Sequence, residues 1–513
     1  MHLYIALAIA GAVFAAGTAP ESARGAIDEA VFGRLAELGI RPAPLSSDEV
    51  FVRRVYLDAI GTLPAPEEVR TFLSDPASDK RAKLIDRLLE REEFAEYWAM
   101  KWGDILRVKA EYPINLWPNA AQAYHRWIRD AIRENVPYDR FARELLTSSG
   151  SNFRVPPVNF YRAVQSREPE AIARAVALTF LGVRVEKWPE GAWSGLPKFF
   201  ARISYKSTAE WKEEIVSFDP EKPPPAGGEP PRRAELPGGA ALELPPDRDP
   251  REVFADWLCA PGNPWFARAI ANRVWHWLLG RGVVHEPDDF RPDNPPRNPA
   301  LLEALERELV GARFDLRSLY RAILNSAAYQ LSSVPASDRS EAEDEFACYR
   351  LRRLEAEVLI DALNQVTGTS EKYSSAVPEP FTFVPETERA ISLPDPSVTS
   401  PFLELFGRSP RDTGYELERT NRLTAAQRLH LLNSSHIQRK LEGGAKLRAL
   451  LSSGWGERRI VEELYLLILS RFPTREELQA VAEYARSGGN RRREVYVDLA
   501  WALFNSAEFL YRH

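Results

Sequence analysis

A chain of 513 residues has room for roughly two to four domains, each large enough to bury its own core. Apolar residues make up 44% and charged residues 27%, ordinary globular usage that argues against wholesale disorder and against a polytopic membrane protein. The 67 basic and 73 acidic side chains leave a net charge of −6 and no long basic run, so nucleic acid is not an expected partner.

At the N-terminus, Leu3 to Ala16 (LYIALAIAGAVFAA) is an apolar run of 14, shorter than the ~20 residues that span a bilayer and suited to the core of a secretory signal. Val13 and Ala15 satisfy the small-residue rule for cleavage. Residues 1–26 therefore read as signal peptide and mature N-terminus, and the protein is expected in the periplasm or outside the cell, with no further transmembrane segment.

Helical periodicity dominates the rest. Ala82 to Phe94 places Leu84, Ile85, Leu88 and Leu89 on one face, and similar stripes cover 121–134 and 168–182. Between about 204 and 249 the chain turns to proline and glycine, with Pro223-Pro224-Pro225, Gly227-Gly228 and Pro230-Pro231. Such a stretch buries too little apolar surface to offset its ordering and reads as an interdomain connector. Beyond it, Asn263-Pro264 starts a helix that turns Phe266, Ile270 and Val274 inward and stops at Gly280. Further helical patterns lie at 300–311, 315–328, 351–366, 424–440, 457–470, 475–485 and 492–504. Strand candidates are few and short: 183–185, 215–216 and 381–384. Residues 370–412 form a second irregular stretch; it holds Phe381, Phe383, Phe402, Leu405 and Phe406, so the stretch is expected to pack on the body. The predicted fold is all-α, with two helical domains (27–203 and 250–513) joined by the Pro/Gly-rich connector (204–249) and little β structure.

The two ends of the chain resemble each other. Tyr56-Leu57, Ile60, Pro64 and Glu67-Glu68-Val69 match Tyr465-Leu466, Leu469, Pro473 and Glu476-Glu477-Leu478 at a constant offset of 409, and each copy ends in Glu-Phe, at Glu93-Phe94 and Glu508-Phe509. An Asn-Ser pair recurs at Asn325-Ser326, Asn433-Ser434 and Asn505-Ser506, where Asn is expected to close one helix and Ser to cap the next.

Chemistry is harder to find. Cys259 and Cys348 are the only thiols, each set in apolar surroundings, and two separate buried thiols are expected rather than a bridge. None of the seven histidines has the i, i+4 spacing with which one helix face grips a metal, and phosphate-loop, dinucleotide and nucleophile-elbow motifs are missing. No metal or cofactor is expected. The densest polar cluster is Asn272, Arg273, Arg281, Asp288 and Asp289 around Trp275-His276-Trp277. Paired aspartates beside an arginine can do acid–base work or hold an anion; they can equally cap a turn and neutralise a buried charge. Arg273, Asp288 and Asp289 are thus catalytic candidates and Arg281 a binding candidate, while His276 reads as a core or boundary histidine. Thirteen tryptophans include Trp98 and Trp102 at i, i+4, a core stripe; exposed ones, by contrast, stack on sugar rings, which makes a glycan the leading alternative partner.

Four segments together carry a resemblance: Phe51-x-Arg53-Arg54-x-x-Leu57-Asp58-x-x-Gly61-x-x-Pro64; Asn272-Arg273-x-Trp275 with Gly280-Arg281-Gly282 and Pro287-Asp288-Asp289-Phe290; Arg353-Leu354-x-Ala356-Glu357-x-Leu359-x-Asp361-Ala362; and Phe406-Gly407-Arg408 with Leu431-Leu432-Asn433-Ser434. The chain resembles the exported, cytochrome-associated proteins of planctomycetes and their relatives that pair domain of unknown function 1549 with domain of unknown function 1553, from about Ala26 to His513. That family has no settled activity. Its members typically carry Cys-x-x-Cys-His after the segment matching Leu181 to Glu186, and Cys-x-Cys-Glu-Arg where this chain has Tyr415-Glu416-Leu417-Glu418-Arg419. Here both cysteine sets are absent, so covalent haem attachment is not expected, and their joint loss suggests that they formed one site. Glu418 and Arg419, beside the vacated positions, are further binding candidates. Two readings follow: an exported haem-free scaffold or binding protein for an extracytoplasmic protein or glycan, or an extracytoplasmic glycan-active enzyme using the Asp/Arg cluster. Acids opening into a cleft favour the enzyme; acids closed into ion pairs favour the scaffold.

Overall fold

The computed structural model describes residues 25–223, 231–487 and 492–513; the expected signal segment and the middle of the connector, Gly227-Gly228 included, lie outside them. The chain is 53% helical and 6% strand. Seven helices open it: α1 (Ala26–Leu38), α2 (Asp48–Ile60), α3 (Pro66–Ser74), α4 (Lys80–Leu89), α5 (Glu92–Ile105), α6 (Pro118–Arg133) and α7 (Tyr138–Thr147). The stripe read at Ala82–Phe94 is split between α4 and α5 by a short break at Glu90-Arg91. The 168–182 pattern begins as helix Pro169–Val176, widens to a π-turn over Ala177–Leu181 and ends at Gly182 with φ 63°. That left-handed end consumes Val183, whose N–H closes back on the Ala177 carbonyl at 3.1 Å, so 183–185 forms no strand. Residues 381–384 also stay irregular, set between Pro380 and Pro385 with no strand beside them among the described residues.

Ile215-Val216 does lie in a strand. A small antiparallel sheet orders β1 (Gly150–Ser151), β3 (Glu214–Phe218) and β2 (Ile203–Ser207), and a hairpin of β4 (Arg233–Glu235) and β5 (Ala241–Glu243) follows. The described parts of the connector are thus folded against the first domain. Gly195 shows how closely: a Cβ there would fall 1.8 Å from the Glu235 carbonyl oxygen.

Buried residues of the N- and C-terminal segments belong to one hydrophobic cluster. Trp98 and Trp102, the predicted core stripe of α5, meet Trp277 of helix Phe266–Leu279 at 5.3 and 5.9 Å between ring centroids. Asp28 of α1 caps the short helix Ala327–Gln330 by accepting from the Ala327 and Ala328 N–H groups, both at 3.1 Å. The chain's end returns to its beginning as well: Tyr511-Arg512 pairs with Arg352-Arg353, and Arg54 of α2 donates to the His513 carbonyl at 2.8 Å.

The repeat is structural. Helix α2, its left-handed end at Gly61 and α3 correspond to helix Glu457–Leu469, a left-handed end at Ser470 and helix Arg475–Ser487. In each copy one arginine joins the same three partners. Arg91 bonds Glu68 and Glu93 and lies over Tyr56; Arg471 bonds Glu477 and Glu508 and lies over Tyr465. The arginines come from different points of the two copies, so the acid pair and tyrosine were kept while their counter-ion was supplied from elsewhere. Each repeated Asn-Ser serine caps as expected, accepting from Tyr329, Ile437 and Phe509 N–H at 3.2 Å. The irregular stretch 370–412 packs on the body through Ile391, Phe402 and Phe406, which are buried, while Phe381 and Phe383 are 41% and 68% exposed.

Candidate functional site

Helix Phe266–Leu279 delivers Asn272 and Arg273 to the molecule's interior. Asn272 clamps the loop beyond, exchanging two 3.0 Å hydrogen bonds with the Val284 backbone. That clamp sets Asp288 against Arg273 at 2.6 Å, both side chains 0% exposed. Arg273 also donates to the Thr179 and Leu178 carbonyls at 2.9 and 3.1 Å, where the π-turn leaves backbone oxygens free. The second Asp288 oxygen accepts the Glu416 N–H at 2.8 Å. Asp289 is held by Lys187 at 2.7 Å and Arg291 at 3.4 Å. Arg184 pairs with Glu286 at 2.6 Å and covers the Tyr415 ring at 4.7 Å, while the Tyr415 hydroxyl donates to Glu186 at 3.0 Å. The stretches at 184–186 and Tyr415 are therefore neighbours in space.

Candidates from opposite halves of the sequence thus share one region, with Glu416 as the joint between them. Glu418 acts locally, its carboxylate accepting the Asp412 and Thr413 N–H groups at 3.0 and 3.1 Å and so fixing the turn. Arg419 is buried between Asp104 (3.0 and 2.8 Å) and Glu357 (2.5 and 3.1 Å). Arg281 is not joined to Arg273; it pairs with Asp344 at 2.8 Å.

Around Arg419 lies a buried charge network that sequence reasoning does not assemble. Asp104 also holds Arg411 at 2.8 Å, Glu357 faces Arg408 at 3.4 Å, Glu355 takes Lys101 at 2.8 Å and Arg512 at 2.6 Å, and Arg512 reaches Asp58 at 3.1 Å. Burial alone would raise these carboxyls, yet Arg419 and Arg411 hold Asp104 below its ordinary value, Arg419 does the same for Glu357, and Arg512 with Lys101 hold Glu355 well below. Asp58 and Glu357 stand in the family-like segments; nothing in their local spacing reveals partners some 60 to 450 residues away.

Glu416 is the exception. Burial pushes it up to about 7, the neighbouring Asp288 carboxylate adding to the effect against Lys101. His276 Nε2 lies 3.9 Å from Glu416 Oε1, and burial drives that imidazole well below its usual range. A carboxyl near neutrality beside an uncharged imidazole can hold or pass one proton. The sequence offers no sign of this, since Glu416 and His276 are far apart along the chain. A small apolar pocket of about 30 Å³ lined by Trp98, Trp102 and Tyr320 has room for about one water. Among the described residues, no group of three or more His, Cys, Asp or Glu side chains is arranged to hold a metal ion.

Residues 26–186 match the family model described as protein of unknown function (DUF1549), and residues 250–485 match the one described as protein of unknown function (DUF1553). The chain belongs to the proteins that pair these two domains. No curated protein and no solved structure was found to match it. Within this pairing the charge network has a definite place: Asp58, Lys101 and Asp104 come from the first matched segment, and Glu355, Glu357, Arg408, Arg411 and Arg419 from the second. Both cysteines are free thiols, Cys348 buried and Cys259 donating to the Asp139 carbonyl at 3.4 Å. No helix among the described residues is long and apolar enough to cross a membrane.

Proposed function

We propose that this chain is an exported, haem-free scaffold or binding protein in which buried ion pairs lock the two family segments together. The observation that carries the reading is the closure of Arg273 on Asp288. Both side chains are 0% exposed, and the two aspartate oxygens face a guanidinium and a backbone N–H. A catalytic acid or base must come within hydrogen-bond reach of its substrate, and this pair has no route to one. Asp289, 5% exposed and paired with Lys187, and Arg419, enclosed by two carboxylates, support the same reading. The Leu3–Ala16 run supports export, and the lack of any Cys-x-x-Cys-His supports the absence of covalent haem.

The test is to offer the purified mature protein a panel of oligosaccharides and measure reducing ends released. No release is expected. Turnover that disappears in Glu416→Gln or Asp288→Asn would replace the scaffold with an enzyme. N-terminal sequencing of the native protein should begin between residues 16 and 26; a cytosolic protein starting at Met1 would remove the export half of the proposal.

A further inference from the structure

Among the described residues, the exposed large aromatic side chains are Tyr112, Trp211, Phe381, Phe383 and Phe472. Four of these five sit on three loops that meet. Trp117 packs edge-on against Phe381 at 5.3 Å, and the Lys212 ammonium lies 5.8 Å from the Trp117 ring and 5.2 Å from that of Trp211. Tyr112 stands on the same loop as Trp117, and Phe383 two residues from Phe381. Exposure is high: 81% for Tyr112, 69% for Trp211 and 68% for Phe383.

The loops are held in place. The Lys212 carbonyl accepts from Asn152 at 3.2 Å, Trp117 N–H returns to the Ala110 carbonyl at 3.0 Å, and Gln122 reaches the Phe381 carbonyl at 3.5 Å. Each exposed ring leaves apolar area in water that its own fold could have covered, and the concentration of such rings at one place marks a contact surface. Fixed loops also spare a ligand the entropy of ordering them.

We propose that this platform binds a neutral polysaccharide; the proposal rests on the binding-protein reading above and names its ligand class. Flat exposed indole, phenol and phenyl faces suit the apolar faces of pyranose rings, and Asn115 and Gln122 offer acceptors and donors for hydroxyl groups. The charge balance selects the occupant. The three loops carry Glu111, Glu379 and Glu386 against Lys212, while Glu210 faces Arg154 at 3.8 Å and the nearby Lys109 is neutralised by Asp412 at 2.6 Å. An anionic glycan or an anionic membrane surface would meet like charge.

Native gels containing hydroxyethylcellulose, xylan, galactomannan or laminarin test the proposal through retardation of the full chain. At least one of these should retard the wild type, and Trp211→Ala and Phe383→Ala should each raise the dissociation constant about tenfold or more. Phe472→Ala, an exposed aromatic elsewhere, should bind as wild type. Unchanged melting curves separate lost binding from lost folding; should Trp211→Ala melt early, Phe383→Ala and Tyr112→Ala decide. Failure of all four polysaccharides, equal retardation of every variant, or Trp211-dependent binding to heparin, phosphatidylglycerol vesicles or a proline-rich peptide in their place would overturn it. Reducing-end release bears on the scaffold reading alone, so the two can fail separately.

Discussion

Arg419→Met is the sharpest test of the buried network. The guanidinium makes four hydrogen bonds, to Asp104 at 3.0 and 2.8 Å and to Glu357 at 2.5 and 3.1 Å, in a site where both carboxylates and the arginine are almost wholly removed from water. Methionine fills similar volume and leaves two buried anions. Arg411 still faces Asp104 at 2.8 Å and Arg408 still faces Glu357 at 3.4 Å, so neither anion is abandoned, and the loss should fall near the usual 3–5 kcal/mol for breaking a buried pair and not at a multiple of it. At about 2.1 cal/mol/K per residue, a chain of this length unfolds with an entropy near 1 kcal/mol/K, so the melting temperature should drop by about 3–5 °C. Because the network joins the two family segments, calorimetry should show one transition moving as a whole. The double variant Arg419→Met/Glu357→Gln should lose at least 1 kcal/mol less than the sum of the two single variants, because both singles break the same Arg419–Glu357 contact. A shift below about 1 °C, or two transitions of which only one moves, would refute the reasoning.

Other outcomes follow from the same geometry. Glu416, raised from its ordinary 4.5 to about 7, binds its proton more tightly folded than unfolded, so its contribution is complete below pH 4.5 and is lost as pH rises to about 7; Glu416→Gln should flatten that limb of a denaturation series, by roughly 2–3 kcal/mol, and an unchanged limb would sink the assignment. Asp104, Glu355 and Glu357, held low, act in the opposite direction and should make stability fall below about pH 4 in both proteins. Ser326→Ala and Ser434→Ala should each cost about 1 kcal/mol in urea melts, by removing a cap at 3.2 Å, and a zero effect at both would discredit the capping role of the repeated Asn-Ser pair. The unreduced protein in denaturant should titrate two thiols, and the native protein should react slowly, since burial pushes Cys259 up to about 12 and Cys348 to about 11.

How much is legible in the sequence depends on the range of the interaction. Helix Pro299–Gly311 stands where its asparagine and proline signals put it, and Phe266–Leu279 stops at Gly280 as read but begins two residues beyond Pro264, with Asn263 accepting the Trp265 and Phe266 N–H groups in the turn before it. The repeat is legible for the same reason, as both copies are continuous. The 204–249 stretch is read mainly from composition, which registers its prolines but not the partners β3 finds in β2 and at Gly150-Ser151, which pair with Val216 and Ile215. The aromatic content of 370–412 tells that the stretch packs on the body but not which rings are covered: Phe402 and Phe406 are buried and Phe381 and Phe383 are not, because exposure is decided by what the loop is placed against. The site shows the same limit. Arg273 and Asp288 are 15 residues apart and fall into one sequence cluster; Arg419 and Asp104 are 315 apart, and no periodicity can announce that contact.

The arginines bring composition and structure together. Of 67 basic residues 55 are arginine, an excess that composition alone ascribes to coding bias; yet Arg53, Arg54, Arg273, Arg353, Arg411 and Arg512 are almost wholly buried, and several gather carbonyl oxygens from helix ends and loops. Arg54 is the fullest case. Its Nη1 donates to Tyr329 and Leu331 carbonyls at 2.8 Å, its Nε to the His513 carbonyl at 2.8 Å, and its plane lies 3.9 Å from the Tyr349 ring, whose hydroxyl bonds Asp58. One planar fork thereby ties α2 to the end of helix Ala327–Gln330 and to the last residue of the chain. Lysine offers three donors on one atom and no face to stack, so it can serve one of these places but not all three. Arg54→Lys keeps the charge and should still destabilise by about 2–3 kcal/mol, with the hydrogen-exchange protection of residues 511–513 lost before that of α2. A coding-bias origin predicts instead that lysine substitutes freely, and a variant melting within about 1 °C of wild type would favour it.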